Sequence, residues 1–212
     1  MAIKLRDLGF GPLGPLTLTL DPGALTVIVG PNGAGKSLLL RLLHGLDQPA
    51  AGTLGGVADA RAMVFHEPMM LDRSVRRNLE WAARAPVAPI IAATGLTELA
   101  ERRATTLSRG EQQRVALARA WASAPRLILA DELTANLDPA ETRRVEGLIE
   151  AMRADGIGVI MTTHDLGQAR RLADHIVVLV AGQCIESTPA AQFWHAPQSP
   201  VSTRFIDGEL LA

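Results

Sequence analysis

The chain has one cysteine, Cys184, among its 212 residues. That excludes an internal disulfide framework and suits a reducing cytoplasm; Cys184 itself reads as a small buried hydrophobe in a C-terminal strand. Long apolar runs are missing too. No stretch approaches the roughly 20 apolar residues that cross a bilayer, and the best candidate, Ile176 to Ala181, is bounded by Asp174, His175 and Gly182. The first residues carry Lys4, Arg6 and Asp7 and no signal-type apolar core. Any membrane role is therefore expected through a partner. Charge of one sign is also absent, since 21 Lys and Arg stand against 22 Asp and Glu. No broad basic face for nucleic acid is expected.

What is present suits a single domain with a sizeable core: 48% apolar and 20% charged residues. Leu16, Leu18 and Leu20 alternate with threonines, the period of a half-buried strand, and Asp21-Pro22-Gly23 is a turn. The apolar run Leu25–Val29 reads as a strand buried on both faces. A helix is expected after Gly35, with Leu38, Leu39, Leu42 and Leu43 on its packed side. Further strands are expected at 61–65, 126–130, 158–162 and 175–180, and helices near 109–122, 139–154 and 166–173. This alternation predicts an α/β fold with a mostly parallel sheet, plus an antiparallel flap from the early strands. Residues 67–107 show no clear strand pattern and read as a helical insert.

Gly30-Pro31-Asn32-Gly33-Ala34-Gly35-Lys36-Ser37 follows the buried strand and opens the apolar helix. This G-x-x-x-x-G-K-S loop lets backbone N–H groups and a helix N-terminus surround a polyphosphate. Lys36 is expected to reach the β- and γ-phosphates, and the Ser37 hydroxyl to ligate Mg²⁺. Leu127-Ile128-Leu129-Ala130 is a buried strand ending in Asp131 and Glu132. A carboxylate there can hold Mg²⁺, and the next can polarise an attacking water.

Leu107-Ser108-Arg109-Gly110-Glu111 completes the series, and with it the chain resembles the nucleotide-binding subunits of ATP-binding-cassette (ABC) transporters, whose signature reads L-S-G-G-Q or L-S-G-G-E. The resemblance spans nearly the whole chain. It implies a P-loop ATPase core with an antiparallel β flap (about 1–66 and 108–212) and a helical subdomain (about 67–107), together one domain, 1–212. It implies that Ser108 and Gly110 grip the γ-phosphate held by a second cassette in a head-to-tail homodimer. Asn136-Leu137-Asp138 matches the loop at that interface, and His164 the switch histidine beside the attacking water, with Glu132 as base. Leu38 joins the phosphate-loop residues, and Phe10 lies near the position of an adenine-stacking aromatic, with core packing as the competing reading. The implied partners are integral-membrane permease subunits and, indirectly, an extracytoplasmic solute-binding protein, with the cassette on the cytoplasmic face of the membrane. The tracts "MVFHEPMMLDRSVRRNL", "THDLGQARRLAD" and "FIDGELL" look like the subgroup serving tungstate-type oxyanion importers, with molybdate and phosphate cassettes close by. A soluble cassette acting on DNA or ribosomes, and a slow regulatory cassette, are the alternatives.

Four positions depart from the family pattern. His66 stands where Gln usually contacts Mg²⁺ or its water, so His66 is a candidate metal ligand. Arg109 replaces the first signature glycine, Leu133 a Pro after Glu132, and Leu38 a Thr after Ser37. Met69, Met70 and Leu71 are either core or part of a groove for a membrane subunit.

Overall fold

The computed structural model describes residues 2–209, so the end of the "FIDGELL" tract lies outside the described residues. In chain order the strands and helices are β1 (Ile3–Phe10), β2 (Leu13–Leu20), β3 (Thr26–Val29), α1 (Lys36–His44), β4 (Ala51–Gly55), β5 (Arg61–Val64), α2 (Val75–Glu80), α3 (Ala88–Ala93), α4 (Arg109–Ala122), β6 (Leu127–Asp131), α5 (Pro139–Ala154), β7 (Gly158–Thr162), α6 (Leu166–Leu172), β8 (His175–Val180), β9 (Gln183–Pro189), α7 (Ala190–His195) and α8 (Pro200–Ile206). They form two sheets, a three-stranded β2-β1-β4 and a six-stranded β5-β6-β7-β3-β8-β9. The small sheet is antiparallel throughout, whereas the large one is parallel except for its β8–β9 edge.

The strand chemistry explains this division. β3, β6 and β7 are buried at every position, as central strands covered on both faces must be. β2 alternates buried and exposed residues, with Leu16, Leu18 and Leu20 inward. One apolar cluster packs α4, α5, α6 and α7 against one face of the large sheet. A second lies between α1, the opposite face and the flap. A third joins α2 and α3 to Val115, Ala118 and Ala122 of α4. α4 thus belongs to two cores at once, and the helical region rests on it.

Details the periodicity did not predict have local causes. The packed side of α1 includes Leu40 as well as Leu39, Leu42 and Leu43, while Leu38 at its start is only half-buried. β4 is an almost wholly exposed edge strand with no alternation to read. The Met69-Met70-Leu71 stretch splits: Met69 is 82% exposed, and Met70 packs against both the sheet core and the helical core. Fully buried Asn78 pins this loop, bonding to the backbone of Leu71, Arg73 and Ser74.

Candidate nucleotide site

Four adjacent parallel strands, β5, β6, β7 and β3, end on the same edge of the sheet. Carboxyl ends of parallel strands are where open α/β sheets bind ligands. Here they deliver His66, the Asp131–Glu132 pair, His164 and the Gly30–Ser37 loop to one place.

The loop turns directly into α1, whose N-cap Gly35 has φ 97° and no side-chain capping bond. A side chain there would strain the left-handed backbone and strike Leu13 of the flap. Lys36 is buried and donates from Nζ to the carbonyls of Gly30 (2.9 Å) and Pro31 (3.1 Å). Its ammonium lies 3.6 Å from Glu132 Oε1. Ser37 donates to Asp131 Oδ1 at 2.9 Å, and the buried Thr162 hydroxyl donates to the same oxygen at 2.7 Å. Two hard oxygen donors so close suit Mg²⁺, which takes one or two protein oxygens and completes its shell with water and phosphate.

Glu132 is held from every side. Its φ of 44° is left-handed, unusual for a residue with a Cβ. The amide donates to Thr162 Oγ1 at 3.0 Å, and Oε2 lies 3.2 Å from His164 Nδ1. An ionised carboxylate only accepts, so Nδ1 is the donor. A cavity of about 400 Å³ lined by Pro12, the Asn32–Leu38 loop, His66, Asp131 and Glu132 covers the phosphate loop. A second, of about 460 Å³, shares Glu132 as a wall and is lined by Asn136, Leu137 and His164 among others. Asn136 also has a left-handed φ of 62°, and Asp138 caps α5 by accepting from Ala140 and Glu141.

Two expected site residues are placed by contacts of their own. His66 Nδ1 is 3.4 Å from the Glu132 carbonyl, and Nε2 is 3.3 Å from Arg109 Nη2. A guanidinium only donates, so Nε2 accepts and Nδ1 carries the proton. His66 also lines the cavity beside Asp131 and Glu132. Phe10 ends β1, paired with Leu13 and half-buried against the flap core, and Pro12 rather than Phe10 lines the cavity.

Ser108 and Gly110 line neither cavity; they stand at the start of α4. Ser108 caps that helix in a reciprocal box with Glu111: its N–H and hydroxyl each donate to Glu111 Oε2 at 2.8 Å. The Ser108 backbone N–H is the main reason the Glu111 carboxyl is pulled below its ordinary pKa. Gly110 is buried, and a Cβ there would sit 2.9 Å from Glu141 Cγ. Arg109 is exposed and helical. The second glycine of the signature is thus demanded by packing against α5, whereas the first position accommodates a side chain. Leu133 is buried in the sheet core, where an apolar residue is expected. Sequence reasoning missed Thr162, whose one signal was a polar residue ending an otherwise apolar strand, and it could not foresee the Arg109–His66 contact.

Residues 13–135 match the ABC transporter family profile. Among curated relatives, the phosphate import ATP-binding protein PstB 2 of Natronomonas pharaonis is 38% identical, over 96% of this chain and 84% of that protein. A methionine import ATP-binding protein, MetN, of Cereibacter sphaeroides is 36% identical over 92% of this chain and 63% of its own length. A probable anion import ATP-binding protein of Haloferax volcanii is 34% identical over 100% and 88%. Among solved structures, a dimeric ATP-binding cassette in a post-hydrolysis state with ADP and Pi superposes with a TM-score of 0.77 at 25% identity, covering 89% of this chain and 98% of that one. Profile and relatives agree on one family, and the chain belongs to it: the ABC transporters, as an ATP-hydrolysing cassette.

Proposed function

We propose that this cassette energises a membrane importer of an inorganic oxyanion of the tungstate, molybdate or phosphate class. The observation that carries the ATPase chemistry is the convergence of Lys36, Ser37, Asp131, Glu132 and His164 at one sheet edge. Lys36 would neutralise charge on the terminal phosphates. Glu132, poised between Lys36 and His164, would take a proton from the attacking water, and the His164 bond fixes that carboxylate's direction. Ser37 and Asp131 would hold Mg²⁺, which supplies further charge neutralisation on the phosphate oxygens when bound. The trans half of the site would be Ser108 and Gly110 of a second copy, a reading supported by neither residue lining either cavity and by the dimeric relative. Closure of two cassettes over ATP would then drive attached permease subunits between access states.

No described helix is long and apolar enough to cross a membrane. Exposed Phe65 (43%) and Met69 (82%), beside His66, support docking of a permease segment at the base of the helical region. The oxyanion assignment is supported by the phosphate and anion import relatives. The methionine relative marks the alternative cargo class.

Glu132→Gln is expected to stop turnover and to trap an ATP-bound dimer, seen by size-exclusion chromatography with and without ATP. A variant that stays monomeric with ATP removes the dimer mechanism. Cells in which Glu132→Gln replaces the native chain should lose uptake of one of the three oxyanions. Unchanged uptake of all three defeats the cargo assignment while leaving the ATPase intact.

A further inference from the structure

We propose that Arg109 and His66 form a positioning relay that holds the backbone of Glu132, tying the start of the signature helix to the catalytic loop within one chain. The inference rests on the ATPase reading for its functional consequence, though not for its geometry. Both residues depart from the family pattern, and they touch each other: Arg109 Nη2 to His66 Nε2 at 3.3 Å, then His66 Nδ1 to the Glu132 carbonyl at 3.4 Å. The direction of the relay is forced. Because the guanidinium can only donate, it selects the Nδ1–H form of the ring, and that form is the one able to donate to Glu132.

Glu132 needs such a hold. Its left-handed backbone is costly for a residue with a Cβ, and such conformations persist only where surroundings over-determine them. Thr162 secures the amide side of the residue, and on the other side the carbonyl accepts from the Ala135 N–H at 3.2 Å, with His66 Nδ1 adding the one side-chain donor. If that peptide relaxed, the carboxylate would swing from its place between Lys36 and His164. Arg109 has no competing engagement, because it is exposed and makes no ion pair among the described residues. A parallel tie lies one helical turn on, where Gln113 Nε2 donates to the Phe65 carbonyl at 3.5 Å. The helix that carries the signature is therefore fastened twice to the end of β5, and one of those fastenings continues to the base. A glycine at 109 could supply neither donor nor relay.

The test is a double-mutant cycle read in kcat and KM for ATP, with an NMR measurement of the ring. Arg109→Ala and His66→Phe should each lower kcat about fivefold, the scale of coupling between residues in contact. KM should change little, and the double variant should be no slower than either single one. Arg109→Lys, which keeps a donor, and His66→Gln, which offers both an acceptor and a donor, should each recover most of the loss. Effects that multiply in the double variant overturn the relay. Long-range proton–nitrogen correlation of the five histidines, with His66 assigned by its loss in His66→Phe, should show the Nδ1–H form in the native protein. An Nε2–H form in the native protein, which could neither accept from Arg109 nor donate to Glu132, also overturns the relay. If the native protein fails to turn over ATP, the ATPase reading falls, and the tautomer measurement still decides the relay.

Discussion

The helix starts that carry the two glycine motifs, α1 and α4, are built in opposite ways. α1 begins at Gly35, with no capping side chain and no acid in its first turn. Its free N–H groups, with buried Lys36 beside them, form a ready anion site. α4 begins at Ser108 with a complete capping box, and Glu111 already occupies the Ser108 N–H and hydroxyl. One start is left open for a ligand and fastened to the sheet by Lys36, Ser37 and Asp131. The other satisfies itself and sits at an exposed surface. The phosphate-loop half is therefore preorganised within a single chain. The signature start has its Ser108 N–H and hydroxyl already engaged by Glu111.

The phosphate-loop side of the contrast is probed at Thr162, whose hydroxyl shares Asp131 Oδ1 with Ser37 of α1. Thr162→Val removes the hydroxyl that donates to Asp131 and accepts from the Glu132 amide. Leaving that amide unpaired in a buried site should cost about 1–3 kcal/mol of stability, seen as a lower melting temperature. Turnover should fall about tenfold, equivalent to roughly 1.4 kcal/mol in the barrier. Normal stability and rate would show that the cradle is not held by this side chain. A smaller effect is expected at the signature, where Gly110→Ala drives a Cβ against Glu141. A loss of about 1 kcal/mol in denaturant unfolding is expected from such overpacking, and an Ala tolerated without loss would remove the packing explanation for that glycine. Smallest is Glu111→Gln. The folded-state pKa of Glu111 is depressed, so its contribution is present above the ordinary carboxylate range and is lost as pH falls through the depressed value. The melting-temperature gap between native protein and variant should therefore narrow on acidification; a widening gap contradicts the capping-box account.

Much of this was legible in the chain itself, because the motifs sit where local chemistry changes abruptly. The Gly30–Ser37 loop lies between a β-branched run and a leucine-rich helix, and Asp131-Glu132 ends a run with no other polar residue. The antiparallel flap followed from the leucine alternation in Leu16–Leu20. By contrast, β4 is exposed along nearly its whole length and β9 is an antiparallel addition to a parallel sheet. Their place is set by pairing rather than by a pattern of their own. Phe10 is placed the same way: its pairing with Leu13 and its packing against the flap core follow from the β1–β2 hairpin, not from a local pattern.

The family is written in the chain: the residue types and spacing of the Gly30–Ser37 loop, the Asp131–Glu132 pair and the Leu107–Glu111 segment. These depend on contacts within a few residues and on strand ends that a parallel sheet must align. Which group holds which is settled by tertiary packing. Sixty-six residues separate His66 from Glu132 and forty-three separate it from Arg109. Spacing along the chain cannot report a hydrogen bond between side chains that three different elements deliver. At His66, packing brings a guanidinium to one ring nitrogen and a carbonyl to the other.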